Sequence, residues 1–336
     1  MRSDIDTAQD TPSSASGPRS PEHVPMHVPM EERTLAFEGF AYHCRILHQD
    51  RPQTVPLVLL GGSSQNRFAW LRHEKWLTPQ CTMVTVDLPG YGAADFLPAR
   101  YGLDFLAANV RHMLTELGMP KVNLIGTCFG GAIALRFAQH YPSYLARLGL
   151  VGMTKVIPDD YVDAVPRWTR MLERGDRAQI ATELVQRFMS PAGTGLVRKH
   201  EVVSRLLYAQ FMRQSDEEIR MSVEHNARLL SHEWYRDEPV PAVPSLVFTG
   251  ECDTLCPPAM GREVAASLPA SSFTTIKEAD HLAPVERMAE FADVIVRFCT
   301  DQPLTGLPYC NPIESLGAAT QAGDGPPSPL RAPAHI

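Results

Sequence analysis

Residues 122–139 read VNLIGTCFGGAIALRFAQ: an apolar run that breaks at Gly126, passes through Thr127 and Cys128, and resumes as a helical pattern after Gly130 and Gly131. The first part is a continuous apolar segment, as expected of a strand buried on both faces. The second carries apolar residues at helical spacing. Between them lies Gly-x-Cys-x-Gly-Gly, and a strand, a tight turn and a helix are the setting in which Gly-x-nucleophile-x-Gly has chemical meaning. A turn this sharp places its central residue in strained backbone angles and demands tiny neighbours. The helix that starts there aims free N–H groups and a positive dipole end at that residue. Cys128 is therefore the candidate nucleophile. The plainer alternative is a buried thiol in a glycine-rich turn.

The same alternation continues on either side. TLAFEGF and AYHCRILH predict an antiparallel strand pair, and VPLVLL, CTMVTVD, LGLVGM, SLVFTG and SFTTI predict further strands. Helical patterns cover 105–117, 131–139, 258–268 and 285–298. Strands alternating with helices imply an α/β fold, with a mostly parallel sheet flanked by helices on both faces. Right-handed crossovers then gather the loops after the strand C-termini along one edge. From 154 to 241 the rhythm fails: no strand pattern occurs, and four helical segments lie around 162–173, 178–188, 198–212 and 216–234. This predicts a helical cap inserted before the penultimate strand, with the core formed by 31–153 and 242–302. Helices that merely pack on the sheet are the alternative. Residues 1–30, with their HVPMHVPM near-repeat, and 303–336, rich in Gly, Ala and Pro, are expected to be disordered or loosely attached.

Composition narrows the function classes. The net charge of −7 gives no support to a nucleic-acid partner, which demands basic patches. No apolar run reaches the roughly 18 residues of a membrane span, and no secretory signal pattern opens the chain. Seven cysteines without repeated close spacing suggest separate thiols in a reducing compartment rather than a disulfide frame. A cytoplasmic protein is expected, with room for a homo-oligomer.

Three loops supply partners for Cys128. Gly61-Gly62-Ser63-Ser64 follows the strand LVLL, where such a sheet places one oxyanion donor; the residue after the nucleophile gives the other. The backbone N–H groups of Ser63 and Phe129 are thus the expected oxyanion hole. The segment TGECDTLCPP offers Asp253, and EADHLAPVE offers His281, each directly after a strand. An imidazole there would take the thiol proton, and a buried carboxylate would fix its tautomer. Glu251 is a weaker acid candidate, and Asp280 is too close in sequence to reach round the His281 ring. Asp87, in a turn pattern, reads as structural. Cys252, Cys256 and His281 lack the paired spacing of a zinc site, so neither metal nor organic cofactor is implied. Gly62, Ser64, Trp168, Met171 and Tyr208 are candidates for an acyl pocket.

These motifs, in this order, resemble the α/β-hydrolase superfamily over about residues 33–300. The box around Cys128 is similar to that of polyhydroxyalkanoate synthases, and the Asp253–Pro257 loop loosely so. Dienelactone hydrolases also use Cys in this fold. The Gly61-Gly62-Ser63 loop and long cap look closer to bacterial 3-hydroxyacyl transacylases, which carry Ser at the elbow. A thiol favours exchange between thioesters, and a dry capped pocket lets an acceptor other than water win. The expectation is acyl transfer or cyclisation from a coenzyme A or acyl-carrier-protein thioester through a Cys-His-Asp triad. The alternatives are hydrolysis of a thioester, ester or lactone by the same triad, and a non-catalytic ligand-binding protein. Arginines between 155 and 213 would suit an acidic carrier or a phosphopantetheine phosphate; a solvated helical face is the plainer reading.

Overall fold

The structure, a computed structural model, describes residues 28–191, 196–240 and 242–317. Strands β1 (Met30–Phe37) and β2 (Phe40–Leu47) form a hairpin closed by Glu38 and Gly39, both at positive φ (48° and 86°). Two positive-φ residues match the twist of a two-residue hairpin turn. Then follow β3 (Leu57–Leu60), α1 (Glu74–Leu77), β4 (Met83–Asp87), α2 (Leu103–Glu116), β5 (Val122–Thr127), α3 (Phe129–His140) and β6 (Leu145–Val151). The cap contributes α4 (Asp159–Arg174), α5 (Arg177–Phe188), α6 (His200–Met212) and α7 (Asp216–Ser231). The chain re-enters the sheet at β7 (Ser245–Gly250) and continues through α8 (Pro258–Ala266), β8 (Ser271–Ile276), α9 (Ala283–Glu286), α10 (Met288–Cys299) and β9 (Glu314–Ser315).

The sheet order among the described residues is β1-β2-β4-β3-β5-β6-β7-β8-β9, with β4 through β8 parallel. Strand alternation divides the core in two. Val58 and Leu60 face a cluster with Leu106, Val110, Ile133 and Phe137 from α2 and α3; Leu57 and Leu59 face a second with Leu77, Phe291 and Ile295 from α1 and α10. The cap has its own small core of Val165, Trp168, Met171, Leu172 and Ile180. Its last helix is started by a capping box: Ser215 Oγ accepts from the Glu218 N–H at 3.2 Å, and Glu218 accepts from the Ser215 N–H at 2.7 Å.

The tail boundary at 303 needs correction. Residues 303–317 are seated on the sheet edge: Asn311 donates its N–H to Thr275 O at 3.0 Å, Lys277 donates to Tyr309 O at 2.9 Å, and β9 pairs with β8. Backbone pairing, with Cys310 buried beneath it, offsets the ordering cost that the composition seemed unable to meet. Residues 1–27 and 318–336 lie outside the described residues. Among the described residues no helix is long and apolar enough to cross a membrane.

Candidate active site

The turn between β5 and α3 holds Cys128 at φ 49° and ψ −115°, a backbone region that L residues rarely occupy. Surrounding bonds enforce it: Cys128 N–H donates to Val151 O at 2.8 Å, and Gly131 N–H donates to Cys128 O at 2.9 Å. Gly130 is required for space, since a Cβ there would sit 2.5 Å from the carbonyl oxygens of Leu60 and Gly61. The elbow therefore presses directly on the loop after β3. Within that loop Gly62 N–H donates to Gln65 Oε1 at 2.7 Å, and Ser64 has φ 61°. The N–H groups of Ser63 and Phe129 donate to no group among the described residues.

The loop after β7 carries Asp253 and the loop after β8 carries His281, both buried. His281 Nδ1–H donates to Asp253 Oδ2 at 2.9 Å. Asp253 is itself fully engaged. Its Oδ1 accepts from the N–H groups of Leu255 (2.9 Å) and Cys256 (2.7 Å), and its Oδ2 also accepts from the Thr249 hydroxyl. Burial opposes charge on His281, but the buried Asp253 carboxylate beside it outweighs that and holds its pKa well above the ordinary histidine value. Gly152, at φ 57°, leaves room for the ring: a Cβ there would lie 2.9 Å from His281 Cε1.

Cys256, considered in the sequence only as a metal ligand, faces the same imidazole. Burial pushes its thiol up to about 12 despite the pull of His281, so it stays protonated. Asp253, Cys256 and His281 bring oxygen, sulfur and nitrogen atoms within 4.8 Å of one another. That set does not suit a metal, because the Asp253 oxygens are already filled by four donors and the Cys256 thiol keeps its proton. Asp280 turns away from the ring, accepting from the N–H groups of Ser190 and His281. Glu251 accepts from Asn311 and the Glu278 N–H. Asp87 ties Arg67 and the Ala93 N–H into the turn after β4.

Over Cys128 lies a cavity of about 40 Å³ lined mostly by apolar side chains, among them Ile157, Tyr161, Phe188, Leu229 and Trp234. Phe188, at the end of α5, packs on the His281 ring with centroids 5.8 Å apart. An adjoining cavity of about 50 Å³ under the cap shares Ser63, Tyr161 and Phe188 and extends to Ser64 and Trp168. Gly62 backs Cys128, its missing Cβ being 3.2 Å from the cysteine's own. Two pocket expectations are corrected. Tyr208 is 38% exposed on α6, its helix turning that face outward, and Met171 is spent in the cap core. The cap arginines Arg167, Arg177 and Arg187 pair with Glu183, Asp216 and Asp160. A larger cavity of about 270 Å³ lies between α2, α3 and residues 232–236, away from Cys128.

Sequence reasoning missed Glu286 and His225. Glu286, buried behind His281, accepts from the Asp280 N–H at 2.6 Å; burial, then Asp280 and Asp253, push its carboxyl up to about 7 against that bond. His225 on α7 bonds Ser63 Oγ at 2.7 Å and the Tyr91 hydroxyl at 2.9 Å. Neither had a motif to announce it.

The chain is 26% identical over 262 residues to a pimeloyl-[acyl-carrier protein] methyl ester esterase of Vibrio vulnificus, covering 74% of this chain and 96% of that one. It is 29% identical over 141 residues to the dihydrolipoyllysine-residue acetyltransferase component of an acetoin cleaving system from Pseudomonas putida, spanning only 36% of that protein's length and 41% of this chain. Among solved structures, an enol-lactonase from Burkholderia xenovorans LB400 superposes with a TM-score of 0.68 at 21% identity, over 80% of this chain and 100% of that one. The sequence pattern of the alpha/beta hydrolase fold family matches residues 55–287, most of the chain, so the protein belongs to that family.

Proposed function

We propose that the protein is an acyl hydrolase that acts on carboxylic esters, lactones or thioesters through a covalent Cys128 thioester. The observation that carries this reading is the His281–Asp253 bond, made beside the cavity over the strained Cys128: Phe188 and Cys256, which line that cavity, both lie against the His281 ring. Because Nδ1–H donates to Asp253, Nε2 is the ring nitrogen left to take the Cys128 proton, and the raised His281 pKa favours its holding that proton. In acylation, Cys128 Sγ attacks the substrate carbonyl carbon, its proton held by His281 Nε2. The oxygen gains negative charge and is met by the unused N–H groups of Ser63 and Phe129. His281 then gives its proton to the leaving alcohol or thiol. In deacylation, water loses a proton to the same nitrogen and attacks the thioester carbonyl; the tetrahedral adduct expels the Cys128 sulfur, which recovers the proton. The esterase and lactonase similarities support water as the final acceptor.

Acyl transfer from a coenzyme A or carrier-protein thioester is the second reading. The apolar lining above Cys128 favours it, since that lining shields an acyl-thioenzyme from water. Intact-mass measurement with p-nitrophenyl and coenzyme A esters, using Cys128→Ala as control, separates the readings. An adduct that discharges to free acid supports hydrolysis; one that persists until an amine or alcohol is added supports transfer. No adduct and no turnover would defeat both.

A further inference from the structure

The contacts around His225 admit one arrangement of protons. Arg228, one turn further along α7, donates Nη1–H to the Tyr91 oxygen at 3.3 Å. A guanidinium has only N–H groups to give, so the Tyr91 hydrogen must be placed elsewhere. Its sole acceptor among the described residues is His225 Nδ1, at 2.9 Å. Burial, reinforced by the Arg228 charge, lowers the His225 pKa to about 3, so the ring is neutral. A neutral imidazole that accepts at Nδ1 carries its hydrogen on Nε2, and Nε2–H donates to Ser63 Oγ at 2.7 Å. Ser63 Oγ is thereby used as an acceptor, and its own hydrogen has no other partner among the described residues. Ser63 lines both the cavity over Cys128 and the one under the cap, and no Arg or Lys lines either. The Tyr161 hydroxyl, on the wall of both, makes no hydrogen bond among the described residues.

We propose that the Ser63 side chain is a specificity-determining donor, held in the donating state by the Arg228–Tyr91–His225 chain, which selects acyl groups bearing an uncharged acceptor oxygen (ether or keto) within a few bonds of the reacting carbonyl. This is distinct from the Ser63 backbone N–H, and it rests on the acyl-enzyme reading above. Tyr91, His225 and Arg228 are positioning residues. In a mostly apolar cavity, an unmet hydroxyl hydrogen disfavours a methylene and favours an oxygen at the same place.

The test uses two matched pairs, p-nitrophenyl butyrate with methoxyacetate and p-nitrophenyl valerate with 3-methoxypropionate, in which oxygen replaces a methylene. Comparing wild type with Ser63→Ala cancels the intrinsic reactivity of each ester. In at least one pair, kcat/KM should fall about tenfold more for the ether than for its partner, and Tyr91→Phe should erode the same preference. Equal losses within both pairs would overturn the inference while leaving the acyl-enzyme intact. The absence of both turnover and a Cys128 adduct, with all four esters and with a coenzyme A ester, would refute the acyl-enzyme reading itself. Independently of turnover, ¹⁵N NMR of His225 should show the Nε2–H tautomer, with the population shifting in Tyr91→Phe; an Nδ1–H ring in the wild type would overturn the chain.

Discussion

Replacing Asp253 by asparagine exchanges one atom and reverses the two hydrogen bonds that Oδ2 accepts, from His281 and from the Thr249 hydroxyl, which can rotate to accept instead. The side-chain oxygen of asparagine can still accept from the N–H groups of Leu255 and Cys256, at 2.9 and 2.7 Å in the native loop. The fold should therefore lose only about 1 kcal/mol. The new amide nitrogen, however, faces His281 Nδ1 with hydrogens where an acceptor stood at 2.9 Å. Two donors cannot share that contact, so the ring moves its hydrogen to Nε2, which can then no longer take the thiol proton. The variant also loses a negative charge beside an imidazolium, worth about 4 kcal/mol at ~4 Å and an effective dielectric constant near 20. At about 1.4 kcal/mol per factor of ten, kcat/KM should fall on the order of 10³-fold. His281→Ala, which removes the base altogether, should fall further. The assay is p-nitrophenyl ester turnover, with the rate of Cys128 adduct formation by intact mass and a urea unfolding curve as folding control. A loss below tenfold in a folded Asp253→Asn protein would refute the assignment of Asp253 as the orienting acid.

Gly152→Ala would place a Cβ 2.9 Å from His281 Cε1 in a backbone at φ 57°. It should cost about 1–3 kcal/mol in urea stability and lower kcat by roughly ten- to a hundredfold; undiminished turnover would show that the ring has slack. Cys256 faces His281 and Cys128 is a second thiol nearby, but only Cys128 stands on the elbow beside the free amides. Cys256→Ala should keep adduct formation and Cys128→Ala should lose it; the reverse outcome would move the nucleophile. Glu286, with its carboxyl pushed from 4.5 to about 7 by burial, holds its proton longer in the folded than in the unfolded chain. A raised carboxyl pKa makes folding less favourable as pH climbs from about 4.5 through 7, so Glu286→Gln should gain on wild type across that window. The gain should reach the order of 3 kcal/mol by pH 8, read from urea midpoints at pH 5 and pH 8. A gain that does not change with pH would refute it.

The sheet and elbow were legible because each strand is a short apolar run that ends in a turn, and the loops after β7 and β8 could be named by chain order. Asp253 and His281 could thus be placed before any geometry was known. Elements held by backbone alone left no such trace. Strand β9 is the pair Glu314–Ser315, matched to β8 through amides and carbonyls, with side chains that show no alternation. Helix α6 misled in the other direction: it buries Val203 and Phe211, but Val202, Leu206, Tyr208 and Met212 are at least 36% exposed, so an apolar residue there does not by itself mark the buried face. His225 is one of twelve histidines, and its partners Ser63 and Tyr91 are 162 and 134 residues away in sequence. Nothing local to α7 distinguishes it from a histidine that merely fills space.

That separation has a structural consequence. Arg228 is buried, and its guanidinium donates to Tyr101 O at 2.8 Å, Leu97 O at 2.7 Å and the Tyr91 oxygen. A cation buried against neutral acceptors is tolerable only while all of those bonds hold, which pins α7 to the loop between β4 and α2. His225, three residues earlier on the same helix face, is pinned with it. The loop carrying Ser63 is consequently held from two directions: by the elbow, where Gly62 meets Cys128, and by the cap, through His225. Disturbing Arg228 should reach the Ser63 loop without touching Cys128, His281 or Asp253. The cap therefore belongs to the geometry of the candidate site even though it supplies none of those three residues.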